Sequence, residues 1–180
     1  MKRTKGQESA PFELMVAVVL MSFVLLVAYQ AIEKVRVTTC QQDNEKSLEN
    51  MQTALEFVAK NKGTTNVDFD IEACTSGDNP SVTLRTESQN YLCASYCGDA
   101  RNICVLLQLH SKFKPVTKCI GVNYRTNFPT GEGGICAHRD GASLVNLYDE
   151  MGIPEGDYSF LNAQTISSDP VVCAYRLGKG

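Results

Sequence analysis

From Leu14 to Ile32 the chain runs for 19 residues without a charge, and the apolar side chains fall on every side of a helical turn rather than on one stripe. At about 1.5 Å per residue this run makes a helix about 28 Å long, close to the hydrocarbon thickness of a bilayer. Past Ile32 the composition changes but the period does not. Val37, Cys40, Asn44, Leu48, Met51, Leu55 and Val58 recur at steps of three or four on one face. Glu33, Lys34, Arg36, Asp43, Glu45, Lys46 and Glu49 take the opposite side. Neither Gly nor Pro interrupts between Phe12 and Lys62, and Gly63 is a natural stop. The spacing predicts one stalk helix within residues 7–62, about 50 residues and about 75 Å long, apolar in its first half and amphipathic in its second. Its weakest point is the β-branched run Val37-Thr38-Thr39, where a bend would make two helices. A plain membrane anchor is normally followed by a flexible linker, whereas here an amphipathic helix follows directly.

From about Thr64 the period shortens to two. Val67-Asp68-Phe69-Asp70-Ile71 alternates apolar and acidic as a half-buried strand does, and Ser76 to Pro80 is a turn. Ser81 to Thr86 alternates again. Tyr91 to Tyr96 and Asn102 to Leu109 flank Gly98-Asp99 and read as a hairpin. Val116 to Val122 is a further strand, and Arg125 to Gly134 a loop rich in Gly, Thr and Asn. Ala142 to Met151 reads as a short helix ending at Gly152, and Val171 to Leu177 as a last strand. Nothing is assigned between Gly152 and Val171. The expected fold class is α+β: a long N-terminal helix, then a β-rich globular head over residues 63–180, large enough for a modest core.

Eight cysteines change the picture: Cys40, Cys74, Cys93, Cys97, Cys104, Cys119, Cys136 and Cys173. An even, high count behind an apolar N-terminal segment reads as a disulfide framework in an oxidising compartment. A metal site is the rival, but the chain has no C-x-x-C pair; Cys93 and Cys97 stand at C-x3-C. Connectivity stays open, since eight cysteines allow about 105 pairings. If all pair, Cys40 on the helix must bond to a head cysteine and staple the head to the stalk. A free Cys40 or an intermolecular bridge are the alternatives.

The formal net charge is −3, and it is unevenly placed: Lys2, Arg3 and Lys5 precede the first acid, Glu8. Basic residues before an apolar span predict that this end stays inside and the rest faces out. The remainder is acidic, which argues against a nucleic-acid partner, because phosphate binding needs clustered Lys and Arg. A cleaved secretory signal would end in a small-residue site after the apolar run, yet that run ends AYQAIEKVRV without one. The candidate processing site lies in front, at Gly6-Gln7; cleavage there removes only residues 1–6 and leaves the whole apolar helix on the mature chain.

The stretch KGQESAPFE resembles the leader of archaeal type IV prepilins of the class III kind, in which a short basic leader ends in Gly and the mature chain begins with Gln. Gln7, Ser9 and Phe12 match that pattern. Pro11 stands where the pattern has Glu, and a Glu follows two positions later, at Glu13. Pro11 itself fits a first helical turn, where its missing N–H costs little. The resemblance covers roughly the first 30 residues and implies no head function. It implies a membrane precursor with its N-terminus inside, a prepilin peptidase and assembly machinery as partners, and a mature homo-oligomeric extracellular filament with residues 14–32 in the core. It also implies that Glu13 pairs with a new α-amino group at Gln7 of a neighbouring copy. Solvation of Glu8 and Glu13 at the interfacial edge is the plain alternative.

No enzyme motif emerges in the head: Gly-x-Ser-x-Gly, H-E-x-x-H and the P-loop are all missing. His138, Asp140 and Ser143, in the run beginning Cys136-Ala137-His138, are the densest candidates, with His110 besides. Asp68, Asp70 and Glu72 read as a solvated strand face, with a calcium site as the sharper alternative. No catalytic residue, metal or cofactor is expected. The expectation is a structural pilin-like subunit serving adhesion; the alternative is a signal-anchored monomeric binding or enzymatic domain.

Overall fold

The computed structural model describes residues 10–61, 63–98, 103–122, 125–129, 135–163 and 169–178. The chain divides into two compact units, Met1–Thr39 and Cys40–Gly180. Helix α1 covers Ala10–Lys60 as one helix of 51 residues. It continues through Val37-Thr38-Thr39 without a break. There the Thr38 hydroxyl donates to the Lys34 carbonyl at 2.9 Å, so a polar β-branched side chain is satisfied within the helix.

The first unit holds the apolar part of α1, from Pro11 on. In the second unit α1 is amphipathic, as its spacing predicts. Asn44, Leu48, Met51, Leu55 and Val58 are buried, while Glu49, Asn50 and Phe57 are exposed.

Two antiparallel sheets complete the head. One has the order β1-β6-β7-β5, from Thr64–Phe69, Gly156–Asn162, Val172–Leu177 and Ala142–Leu144. The other is the meander β2-β3-β4, from Ser81–Glu87, Cys104–His110 and Val116–Ile120. One hydrophobic core joins them: Leu48, Met51, Leu55 and Val58 of α1 pack with Phe69, Tyr158, Phe160 and Val172 of the first sheet and Leu84, Leu107 and Ile120 of the second. Tyr158 is fully buried, stacked on Phe160 and edge-on to Phe69. Its hydroxyl donates to the Pro154 carbonyl, and burial pushes the phenol up to about 12.

Three expectations need correction. Tyr91 to Tyr96 is not a strand, and no hairpin turns on Gly98. Asn90–Cys97 is helix α2, closed by Gly98 in the left-handed region at φ 71°. In front of it the Glu87 carboxylate accepts the N–H groups of Ser88 and Gln89. Asp99, the other half of the expected turn, lies outside the described residues, as do residues 130–134 of the expected loop.

Ala142 to Met151 is not a helix either. Ala142–Leu144 is strand β5, and Val145 N–H goes on to bond the Ala174 carbonyl of β7. The Asn146 and Asp149 side chains then accept from the N–H groups of Tyr148 and Met151, so short Asx turns replace helical bonds. This segment ties the sheets together, because Leu84 N–H reaches the Leu147 carbonyl and Ile153 N–H reaches that of Val82. Lastly, the stretch with no assigned element contains β6, a central strand.

Candidate functional site

Two features of α1 stand out: its apolar part, and the fastening of its later turns into the head. In the first, an 18-residue window reaches mean hydropathy 2.4 with none of it buried, long and apolar enough to cross a membrane. Leu14, Val18, Leu20, Phe23, Leu25 and Tyr29 all stand exposed, on all sides of the helix. The Ser22 hydroxyl donates to the Val18 carbonyl, so this polar side chain is satisfied inside the helix and brings no unpaired donor into an apolar environment. Glu13 sits in the first turn, where the helix dipole favours an acid. Gly6 and Gln7, with Glu8 and Ser9, lie outside the described residues.

The cysteines pair as Cys40–Cys74, Cys93–Cys104, Cys97–Cys119 and Cys136–Cys173. The first closes the α1 side of the head at Cys40. Beside it Asn44 imitates a strand neighbour: its amide donates to the Glu72 carbonyl and accepts the Glu72 N–H, both at 2.9 Å. Ser47 Oγ accepts the Asp70 N–H in the same line.

The other flank of α1 holds the edge of β4. Glu45 and Glu49 meet Lys114 and Lys118 at 3.6 and 2.7 Å. The Gln52 amide donates to the Cys119 carbonyl at 2.8 Å, and Glu56 accepts the Gly121 N–H at 2.8 Å. The hydrogen bond and charge of Lys118 hold the Glu49 carboxyl below its usual range. Burial alone would raise Glu56, but the Gly121 N–H, the Gln52 amide and Lys60 outweigh it and lower its pKa.

That shift has a sign. A carboxyl with a lowered folded-state pKa contributes stability that is fully present above its unfolded pKa, about 4.3, and is lost as pH falls through the folded value. Glu56→Gln keeps an acceptor for Gly121 and cannot titrate. Thermal melts from pH 7 to pH 2.5 are expected to show a shallower acid decline for the variant than for the parent. Equal slopes would contradict a titrating Glu56.

The enzyme candidates do not converge. His138 meets Asp140 at 4.0 Å with both exposed, and Ser143 lies in β5 opposite Arg176. His110 ends β3 in the other sheet, its Nε2 at 3.1 Å from Thr83 Oγ1. Asp68, Asp70 and Glu72 line a shallow groove with Asp43, Asn44 and Ser47. Among the described residues no group of three or more His, Cys, Asp or Glu is arranged to hold a metal ion. Sequence reasoning missed Gln52, Glu56 and Gly121, whose only signal was the polar stripe Glu45, Glu49, Gln52, Glu56 at helical steps. No protein-family profile, curated protein or solved structure matches this chain.

Proposed function

We propose that this chain is the structural subunit of an extracellular type IV pilus-like filament. The apolar half of α1 forms the core among neighbouring copies, and the disulfide-linked head forms the surface, in a role such as adhesion. The observation that carries the reading is α1 itself: one unbroken helix, apolar on every side over residues 14–32, whose later turns are built into the core of the head. Such a helix is at home in lipid and equally among its own kind, since both surroundings bury its side chains and leave no backbone group unpaired. Transfer from membrane to filament then sits near balance, and a powered assembly machine can tip it. The four disulfides fit a head that matures in an oxidising compartment.

The same helix also meets the length requirement of a simple anchor, which supports the second reading, a monomeric membrane-tethered domain. The N-terminus of the mature chain separates the two. Mass spectrometry of surface material is expected to find a first residue of Gln7, and negative-stain microscopy of that material to find filaments carrying this chain. Exported chains that retain residues 1–6 would sink the filament reading.

A further inference from the structure

Two of the four disulfides are crossed in sequence. Cys93 bonds Cys104 and Cys97 bonds Cys119, so the two loops overlap and neither contains the other. The four sulfurs share one small cluster with Leu106, where α2 lies on the meander sheet. Cys119 stands opposite Leu106 on β4, and Cys104 lies two residues before Leu106 on the same side of β3. Every one of the four therefore faces the same space, and α2 is held there by bonds to two different strands. With eight residues and no side-chain cap at Gln89, α2 has little else to define its position.

Loop closure in an unfolded chain favours other partners. Cys93 and Cys97 are four residues apart, against 11 for Cys93 and Cys104. Loop-closure entropy grows with loop length, so Cys97 is the nearer partner of Cys93 in the unfolded chain, by a margin that the stiffness of so short a loop reduces. Chain order acts in the same direction: a head exported as it is synthesised, behind an apolar helix held in the membrane, presents Cys93 and Cys97 together before Cys104 follows. Oxidation then gives Cys93–Cys97 and leaves Cys104 to Cys119. Cys40–Cys74 and Cys136–Cys173 join neighbours in the cysteine order, and neither crosses another bond.

We propose that the head matures by thiol–disulfide exchange from this misbonded pair, and that the chain is a substrate of a disulfide isomerase, a protein with an exchange-competent thiolate. The first two bonds form by transfer of two electrons each to a disulfide oxidant, which is reduced to a dithiol. The isomerase thiolate then attacks Cys97 Sγ, breaking Cys93–Cys97, forming a mixed disulfide and releasing the Cys93 thiolate. That thiolate attacks Cys104 Sγ and expels the Cys119 thiolate. Cys119 attacks Cys97 in the mixed disulfide, which closes Cys97–Cys119 and returns the isomerase thiolate. Bonds and electrons balance, and only the first stage consumes oxidant.

The proposal stands on the connectivity and is independent of whether the mature chain forms filaments. Its test uses the full chain, reduced in denaturant and diluted into detergent micelles. One arm is oxidised with diamide alone, a second with reduced and oxidised glutathione, and a third with glutathione plus protein disulfide isomerase. Trypsin cuts after Arg85, Arg101, Lys112, Lys118 and Arg125, so Cys93 and Cys97 share one peptide. Native bridges join that peptide to those of Cys104 and Cys119 as a triplet, in which a chymotryptic cut after Tyr96 separates Cys93–Cys104 from Cys97–Cys119 and so identifies the crossed pairing. The misbonded form gives one internally bridged peptide and a separate pair. Diamide is expected to give mostly the misbonded peptides, and the isomerase arm to raise the triplet several-fold. The triplet forming equally well under diamide alone overturns the proposal. In the double variant Cys97→Ser, Cys119→Ser the crossing is gone, and Cys93–Cys104 is expected to form under diamide without help. An unchanged need for the isomerase there would also overturn it.

Discussion

Leu55→Asp is expected to unfold the head, while Phe57→Asp two positions away leaves it folded. Leu55 is fully buried among both sheets, and Phe57 is 51% exposed on the same helix. Replacing Leu55 removes a packed side chain, worth about 2–5 kcal/mol even for Leu→Ala. It also places a carboxylate in an apolar core, where solvation is lost and the described contacts supply no cation. The sum competes with a total stability of about 5–15 kcal/mol for a domain. Surface changes like Phe57→Asp usually stay within about 0.5 kcal/mol. Thermal melts of the detergent-solubilised chain, followed by near-ultraviolet circular dichroism, check the pair. Retention of a cooperative transition in Leu55→Asp would mean that the second half of α1 is not part of the head core.

That contrast is legible in the amino-acid sequence alone. A helix of this length repeats its period often enough for the spacing of Leu48, Met51, Leu55 and Val58 to name the buried face directly. Short elements offer no such redundancy. In α2, Asn90-Tyr91-Leu92-Cys93 carries strand-prone residues and no capping side chain, so the local signal points to a strand. The helical clue is the i, i+4 spacing of Cys93 and Cys97, which puts both on one face. In β6 the alternation of Tyr158 and Phe160 with Asp157 and Ser159 is present but brief, and one of its two neighbours, β1, comes from a distant part of the chain. The segment after β5 turns on side-chain oxygens of Asn146 and Asp149 that compete with helical bonding, a choice settled by pairing with β7 and β2.

The fastening of the head is half legible. Parity of the cysteines requires Cys40 to bond into the head if all eight pair, and Cys74 is its partner. The remaining pairs are not accessible from spacing, because crossed connectivity depends on where α2 lands on β3 and β4. The polar clasp from Glu45 to Glu56 is hidden for the same reason: a stripe of charge at helical spacing looks like a solvated face until a strand edge is placed beside it. Glu56 shows the difference, since its acceptor is taken by the backbone of Gly121, some 65 residues away. The N-terminal reading rests on Gly6, Gln7 and the apolar run, all local in sequence.

Val24→Asp is expected to weaken membrane insertion of the apolar helix about a hundredfold and, on the filament reading proposed above, to block assembly, while leaving the head folded. Val24 lies near the middle of residues 14–32 and is exposed in the isolated chain. An Asp at the centre of a spanning helix costs about 2.5–3.5 kcal/mol on insertion scales, roughly a hundredfold in partition. In a filament core the same carboxylate recurs once per subunit, so like charges are also brought together without solvent. The head is insulated from this change because its buried apolar residues, among those described, begin at Leu48. Fractionation of membranes, with non-reducing gels to follow the disulfides, reads the two parts separately. A companion variant divides filament from anchor. Ala17→Phe keeps the run apolar, so bilayer insertion is expected to match the parent. Helices packed on one another depend on small side chains for close approach, and an added ring at Ala17 is expected to reduce filament yield severely. A monomeric anchored domain would be indifferent to Ala17→Phe, so normal surface display together with unchanged assembly state in that variant would favour the anchor.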